Sequence, residues 1–148
     1  MDIAALVAWV VTALGGFVLL ARWISRGGLR QQRTGTTRFP APLVFGHFLL
    51  AAAGLIVWIV YLAADRPALA WTSFCVLVAV ALLGFAMFAR WVPVHRTAAP
   101  DSAAIGDARE ETTPAERHLP VPVVAAHGLL GAASLVLVLL AALGVGGS

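Results

Sequence analysis

Two histidines occupy matching positions in two apolar stretches of the chain. His47 lies five residues after the second proline of the Pro-x-Pro motif at 40–42, and His127 lies five residues after that of the motif at 120–122. Proline is favoured in the first turn of a helix, so each imidazole is expected about 8 to 10 Å along its helix. Because ionisable side chains are rare in apolar spans and usually serve function, the pair is a hypothesis for a functional site.

The residues beside each histidine on the same helical face are small. At i+4 and i+7 they are Ala51 and Gly54 after the first histidine, and Gly131 and Ser134 after the second. A flat, shallow surface next to a histidine suits a porphyrin ring that inserts between helices. The same pattern also serves plain helix packing in membranes, with the histidine donating a hydrogen bond to a neighbouring helix. Both interpretations stay open.

Counting the available ligands favours haem over a bare metal ion. Structural zinc requires four ligands and copper(I) prefers thiolate or thioether. The apolar stretches offer two imidazoles and, elsewhere, Cys75 and Met87 as soft atoms. Haem b needs only two axial imidazoles, since the porphyrin supplies the other four iron ligands. The sequence therefore predicts one haem b with His47 and His127 as its iron ligands.

Two arginines are candidate partners for the haem propionates. Arg22 and Arg90 end the first and third apolar stretches on the same side, about one or two turns beyond the level of the histidines. A guanidinium can bind a carboxylate through two parallel hydrogen bonds. The alternative is ordinary snorkelling of both arginines to the interface, with Trp23 and Trp91 as interfacial anchors.

The composition indicates which elements must position these residues. Of 148 residues, 61% are hydrophobic and 11% are charged, with a mean hydropathy of +0.92. A soluble domain of this size could not cover so much apolar surface. Since a spanning helix needs about 20 apolar residues, we expect an all-α integral membrane protein, a bundle of four transmembrane helices at about 3–23, 40–62, 68–91 and 120–143. Residues 63–67 are expected to form a tight turn.

The arginines predict the orientation of this bundle. Five of the ten basic residues lie between the first two spans without an acid among them: Arg22, Arg26, Arg30, Arg33 and Arg38. The positive-inside rule therefore places the loops at about 24–39 and 92–119 in the cytoplasm and both termini outside. This multi-pass arrangement is expected in a plasma (inner) membrane. The second loop, rich in Ala, Pro, Thr, Asp and Glu, is expected to be flexible and solvated. Since this orientation accounts for the excess of basic residues, we expect no nucleic-acid partner.

An internal repeat organises the chain. Nine of sixteen positions are identical between 40–55 and 120–135, and the pairs Gly16-Phe17 and Gly84-Phe85 are each followed, after three residues, by Ala-Arg-Trp. The pattern predicts a duplicated helical hairpin, with repeats at about 3–62 and 68–143, in an up-down-up-down bundle. The repeats would be related by a pseudo-two-fold axis along the membrane normal. The second and fourth helices would then lie diagonally, with both histidines at one depth.

These observations predict an electron carrier in preference to an enzyme. The sequence contains no Walker loop, nucleophile elbow, HExxH motif or dinucleotide fingerprint. No Asp, Glu or Arg lies in the interior of a predicted span, away from its ends, which disfavours a transporter. In architecture the chain resembles small four-helix b-type membrane cytochromes. Expected partners are the lipid bilayer and other membrane redox proteins or a quinone; homo- or hetero-oligomers stay open. The alternative is a non-catalytic membrane subunit or assembly factor with a structural histidine pair.

Overall fold

A computed structural model describes residues 1–96 and 113–145. Within these ranges the chain is entirely helical, without a strand, which confirms the all-α prediction. The described residues form five α-helices and one short 3-10 helix, which precedes the last of the five. In chain order the elements are α1 (Asp2–Ser25), α2 (Gln31–Thr34), α3 (Ala41–Ala64), α4 (Pro67–Arg96), the 3-10 helix (Ala115–His118) and α5 (Val121–Ala142).

The four long helices are long and apolar enough to cross a membrane. The shortest, α5, has 22 residues, and at a rise of 1.5 Å per residue it is about 33 Å long, which exceeds the hydrocarbon thickness of about 30 Å. All four sit where the hydrophobic stretches predict them. Residues 65 and 66 form the tight turn expected between α3 and α4. Asp65 closes α3 there with a left-handed backbone, φ 48°.

The end of α4 differs from the prediction. The helix continues to Arg96, beyond the expected end at Trp91, although Pro93 lies inside it. A proline in a helix removes one main-chain hydrogen bond. Packing offsets this loss, because Trp91 and Val94 are buried and the Trp91 ring stacks on His95 with centroids 4.9 Å apart.

The helices contact one another in a defined order. The largest interfaces are those of α3 with α4 and of α1 with α5, followed by that of α4 with α5 and a smaller one of α1 with α3. Within the described ranges, α3 and α5 touch each other little, as do α1 and α4. Around the bundle the order is therefore α1, α5, α4, α3. The two histidine-bearing helices, α3 and α5, lie diagonally across the bundle axis.

One hydrophobic core fills the half of the bundle nearer the chain termini. Trp9 and Trp58 are its largest members and are almost completely buried. Leu77 and Val138 complete the same cluster. Gly54 makes room for these side chains, since a Cβ there would lie 2.9 Å from Val76 Cγ1 and 3.1 Å from the Trp9 ring. A small residue at position 54 is thus required by packing.

A second hydrophobic cluster lies at the other end, where the two long connections meet. It consists of the buried residues Trp23, Phe39, Val44, Trp91, Ala115 and Leu119. The two tryptophans are therefore buried beneath the connections, and are not the interfacial anchors of the snorkelling alternative. Their indole N–H groups donate to the other segments, that of Trp23 to Thr37 Oγ1 and that of Trp91 to the Glu116 carbonyl.

The prediction of a flexible, solvated loop at 92–119 is wrong for both of its ends. The first end continues α4, and the last residues pack into the second cluster; residues 97–112 lie outside the described ranges. Glu116 is completely buried. Its side-chain oxygens accept hydrogen bonds from the Arg38 N–H and the Thr37 hydroxyl. Buried Gln31 makes a similar link to main-chain groups at 113 and 115. A buried carboxylate is tolerated here because the other connection satisfies it.

Replacement of Glu116 tests this link between the connections. Glu116→Ala would leave two part-buried donors, the Arg38 N–H and the Thr37 hydroxyl, without their acceptor and is expected to cost about 2–4 kcal/mol of stability. Glu116→Gln should cost less, since its amide oxygen can still accept one of the two hydrogen bonds. Thermal unfolding in detergent measures both effects, with Arg117→Ala, at an exposed neighbour, as the control. An unchanged midpoint for Glu116→Ala would contradict the role assigned to this carboxylate.

Candidate functional site

The two histidines of the repeat come together in the structure. His47 and His127 each lie six residues after the first residue of their helices, α3 and α5. Their ring centroids are 6.2 Å apart, with an angle of 64° between the ring planes. Both side chains are half-buried, and they do not hydrogen bond to each other. The diagonal helices thus bring two imidazoles to one level of the bundle.

Each imidazole is oriented by the main chain of a neighbouring helix. His47 Nδ1 lies 3.0 Å from the Val80 carbonyl oxygen of α4, and His127 Nδ1 lies 2.9 Å from the Thr12 carbonyl oxygen of α1. A carbonyl oxygen can only accept, so Nδ1 carries the proton and donates in both cases. In a neutral imidazole the lone pair then belongs to Nε2. Within the described residues, no hydrogen bond reaches either Nε2.

Two glycines make these hydrogen bonds possible. Gly16 and Gly84 follow the accepting carbonyls of Thr12 and Val80 by four residues. A helical side chain covers the turn that precedes its own Cα, so a side chain at either position would lie over the carbonyl and the imidazole. A Cβ on Gly16 would lie 3.1 Å from His127 Cε1, and a Cβ on Gly84 would be as close to the same atom of His47.

Gly16 and Gly84 are thus site residues that the sequence analysis did not assign. The repeat contained the signal, since Gly16-Phe17 matches Gly84-Phe85. What the sequence could not indicate is which helix each glycine faces. Gly16 in the first repeat contacts the histidine of the second, and Gly84 in the second contacts that of the first.

The four small residues predicted beside the histidines take part in helix packing. A Cβ on Gly131 would be in ordinary contact with Thr12 Cγ2, at 3.8 Å. Ser134 is buried and donates to the Leu130 carbonyl at 2.8 Å. Ala51 packs against the core that contains Trp9 and Trp58, and so does Gly54. That these residues also border a cofactor stays a prediction.

The two arginines proposed for propionates do not form a matched pair of contacts. Both are exposed. Arg90 Nη1 donates to the Arg38 carbonyl at 3.3 Å. Arg90 and Arg38 line one cavity. Arg22 has no equivalent side-chain hydrogen bond to the described residues. Their role as propionate partners stays a prediction.

The imidazole pair could supply nitrogen ligands to a metal. The two ring centres are 6.2 Å apart in an edge-to-face arrangement. Within residues 1–96 and 113–145, no three His, Cys, Asp or Glu side chains cluster as a metal site. A group such as haem, which fills four iron positions itself, would need only two ligands from the protein.

Comparison of the chain with protein-family models, curated proteins and solved structures yields no match. The class of this protein is therefore defined by its own features, which are four apolar helices long enough to span a membrane and an imidazole pair between two of them.

Proposed function

We propose that this chain is an integral membrane protein that binds one haem b between His47 and His127 and transfers electrons. The observation that carries the proposal is the state of the imidazole pair. Each ring donates from Nδ1 to a carbonyl, each Nε2 is without a hydrogen-bond partner in the described chain, and the ring centres lie 6.2 Å apart. Histidines that ligate metals usually donate their second N–H in this way, which fixes the ring and the tautomer.

The residues of the chain have separate tasks in this proposal. His47 and His127 would supply the nitrogen ligands of the iron. The Val80 carbonyl orients His47 and the Thr12 carbonyl orients His127. When bound, haem iron supplies a one-electron redox couple whose potential depends on its ligands and their hydrogen bonds. Arg22 and Arg90 are proposed to meet the propionates at the interface. Because both arginines are exposed, we expect their replacement to reduce haem retention less than loss of either imidazole.

The experiment that tests the proposal is the absorption spectrum of the full chain. Protein purified in mild detergent from a haem-replete host is expected to be coloured. It should show a Soret band, a sharpened α band after dithionite reduction, and about one haem per chain in a pyridine haemochrome assay. Preparation from a host grown with added haem precursor guards against incomplete loading. A colourless, well-folded protein from that host would refute haem binding.

The proposal includes an orientation in the membrane. In the proposed up-down-up-down bundle, a duplicated hairpin in a plasma (inner) membrane, the connections that carry Arg22 to Arg38 and residues 92–119 are cytoplasmic and both termini are outside. The support is the cluster of uncompensated arginines. A reporter active only in the cytoplasm is expected to work when inserted near Ala104 and to fail when fused after Ser148. The reverse pattern would contradict this orientation.

Electron transfer requires a partner, and the proposed ones are another membrane redox protein or a membrane quinone. No residue of the chain is assigned to either contact. The presence of one redox centre in a four-helix bundle makes the chain an electron carrier or a cytochrome subunit, in a homo- or hetero-oligomer if partners are retained on purification. Cross-linking in native membranes, followed by identification of the bound proteins, tests this part.

A second candidate function is supported by the same hydrogen bonds. The bonds from His47 to α4 and from His127 to α1 connect helices, as expected for a non-catalytic membrane subunit or assembly factor with a structural histidine pair. In that case the protein is colourless, and replacing either histidine lowers its thermal midpoint without changing any spectrum.

A further inference from the structure

A cavity of about 470 Å³ lies at the end of the bundle where the two long connections meet. Two exposed arginines, Arg38 and Arg90, line it. Pro40, Ala89 and Pro93 supply an apolar part of its wall. The cavity therefore combines two cations with an apolar surface, outside the imidazole pair.

The two guanidinium groups are without acceptors that would balance their charge. The Arg38 guanidinium makes no hydrogen bond or ion pair within the described residues. That of Arg90 donates to the Arg38 carbonyl and has no carboxylate partner there. A guanidinium carries five N–H donors and no acceptor. Most of the guanidinium donors at the cavity thus have no acceptor among residues 1–96 and 113–145.

The other polar side chains around the cavity are already engaged. Gln32 donates to a main-chain carbonyl and accepts from a main-chain N–H, which occupies both ends of its amide. The Thr37 hydroxyl donates to Glu116, whose second oxygen accepts the Arg38 N–H. Within the described residues, no carboxylate balances the two guanidinium groups, so the cavity favours an anionic ligand.

The surface below the cavity is apolar and exposed. Phe85 and Leu82 precede Ala89 by four and seven residues, so they lie on the same face of α4. Their side chains are 69% and 67% exposed. Arg90 lies at the end of the apolar stretch of α4, where the headgroup region begins in the proposed orientation. A ligand that fits both parts has an anionic head and an apolar chain.

We infer that the cavity binds the phosphate of one anionic phospholipid, held by Arg38 and Arg90, with an acyl chain along the exposed face of α4. Arginine binds phosphate through two parallel hydrogen bonds, and anionic lipids attract basic residues at the cytoplasmic surface. The inference requires insertion of the chain in a bilayer and does not require haem.

Lipid titration of the purified, delipidated chain tests this site. Native mass spectrometry in neutral detergent is expected to show one dioleoylphosphatidylglycerol bound in preference to dioleoylphosphatidylcholine. Arg38→Gln and Arg90→Gln should each weaken phosphatidylglycerol binding about tenfold or more. Arg33→Gln is the matched control, because it removes the same charge from an exposed position of the same connection. It should leave binding unchanged.

Arg38→Gln keeps the hydrogen bonds of this segment, since Glu116 and Arg90 contact main-chain atoms of Arg38. Arg90→Gln removes the one hydrogen bond that its own side chain donates. Arg38→Lys retains the positive charge but cannot form two parallel hydrogen bonds, so its loss of lipid binding should be intermediate. The thermal midpoint of each variant checks that it is folded. Equal loss of phosphatidylglycerol binding in Arg33→Gln and Arg38→Gln would overturn the proposed site. It would mean that the lipid is attracted by the overall positive charge of this connection. Competition by inorganic phosphate at the concentration of the lipid would indicate a free anion. Arg90 is also the proposed partner of a haem propionate, so haem content is measured in the same variants. Lost haem with retained lipid binding in Arg38→Gln or Arg90→Gln would assign that arginine to a propionate and not to the lipid.

Discussion

Replacing either His47 or His127 by alanine is expected to abolish the Soret absorbance of the purified protein. Either variant would remove one of the two imidazoles that would hold the iron, and we expect a site with one remaining ligand to lose its haem during purification. No other imidazole within the described ranges lies between α3 and α5. We therefore expect haem content to fall from about one per chain to the background of the assay in both variants. The measurement is a pyridine haemochrome assay on equal amounts of folded protein.

His95→Ala is the matched control for this prediction. It removes an imidazole that stacks on Trp91, far along α4 from the pair, and its haem content should equal that of the parent. His47→Met adds a sharper readout, since a thioether can replace an axial imidazole with a raised potential. If His47→Ala and His127→Ala kept a full complement of haem, the pair would not be the ligand set. If the two alanine variants lost only thermal stability and the unmodified protein were colourless, the structural role of the histidine pair would be supported.

Adding a methyl group at Gly16 or Gly84 is expected to weaken haem binding about tenfold or more, as do changes in groups that orient a metal ligand. The new Cβ would lie 3.1 Å from the Cε1 atom of the facing imidazole, so the ring must move. Movement disturbs the hydrogen bond from Nδ1 and the direction of Nε2. Haem dissociation to an excess of apomyoglobin measures the effect in Gly16→Ala and Gly84→Ala.

The chain offers controls one residue from each imidazole along the sequence. Gly46 and Gly128 adjoin His47 and His127, and a Cβ on either would meet nothing within 4 Å. Gly46→Ala and Gly128→Ala should therefore keep the haem affinity of the parent, and they also raise helix propensity. A loss of equal size in these controls and in Gly16→Ala would mean that the effect comes from the helices and not from the imidazoles.

The spans and the histidine pair could be predicted from the sequence because they depend on local properties. Hydrophobicity over about 20 residues indicates a spanning helix without reference to its neighbours, so the four long helices of the structure lie where the stretches predict them. The positions of His47 and His127 follow from the repeat. Equal distances from two Pro-x-Pro motifs indicate equal depths, and the structure brings the two rings within 6.2 Å.

The features that the sequence did not indicate depend on contacts between residues far apart in the chain. The sequence predicts that Glu116 is a solvated charge. Its burial is acceptable only because Arg38 and Thr37, on the other connection, supply hydrogen-bond donors. Trp23 and Trp91 read as lipid anchors for a similar reason, since tryptophan favours both a membrane interface and a buried site with an acceptor.

Sequence alone thus determined the four long apolar helices, their approximate bounds and the two imidazoles, which are properties of single segments. Tertiary structure decided that Gly16 faces the histidine of the other repeat, and that Arg90 shares a cavity with Arg38 and not with Arg22. The physical reason is that a helix presents several faces of similar hydropathy. Which face meets which neighbour depends on packing among all four helices, where small side chains and main-chain carbonyls, rather than hydrophobicity, select the contact.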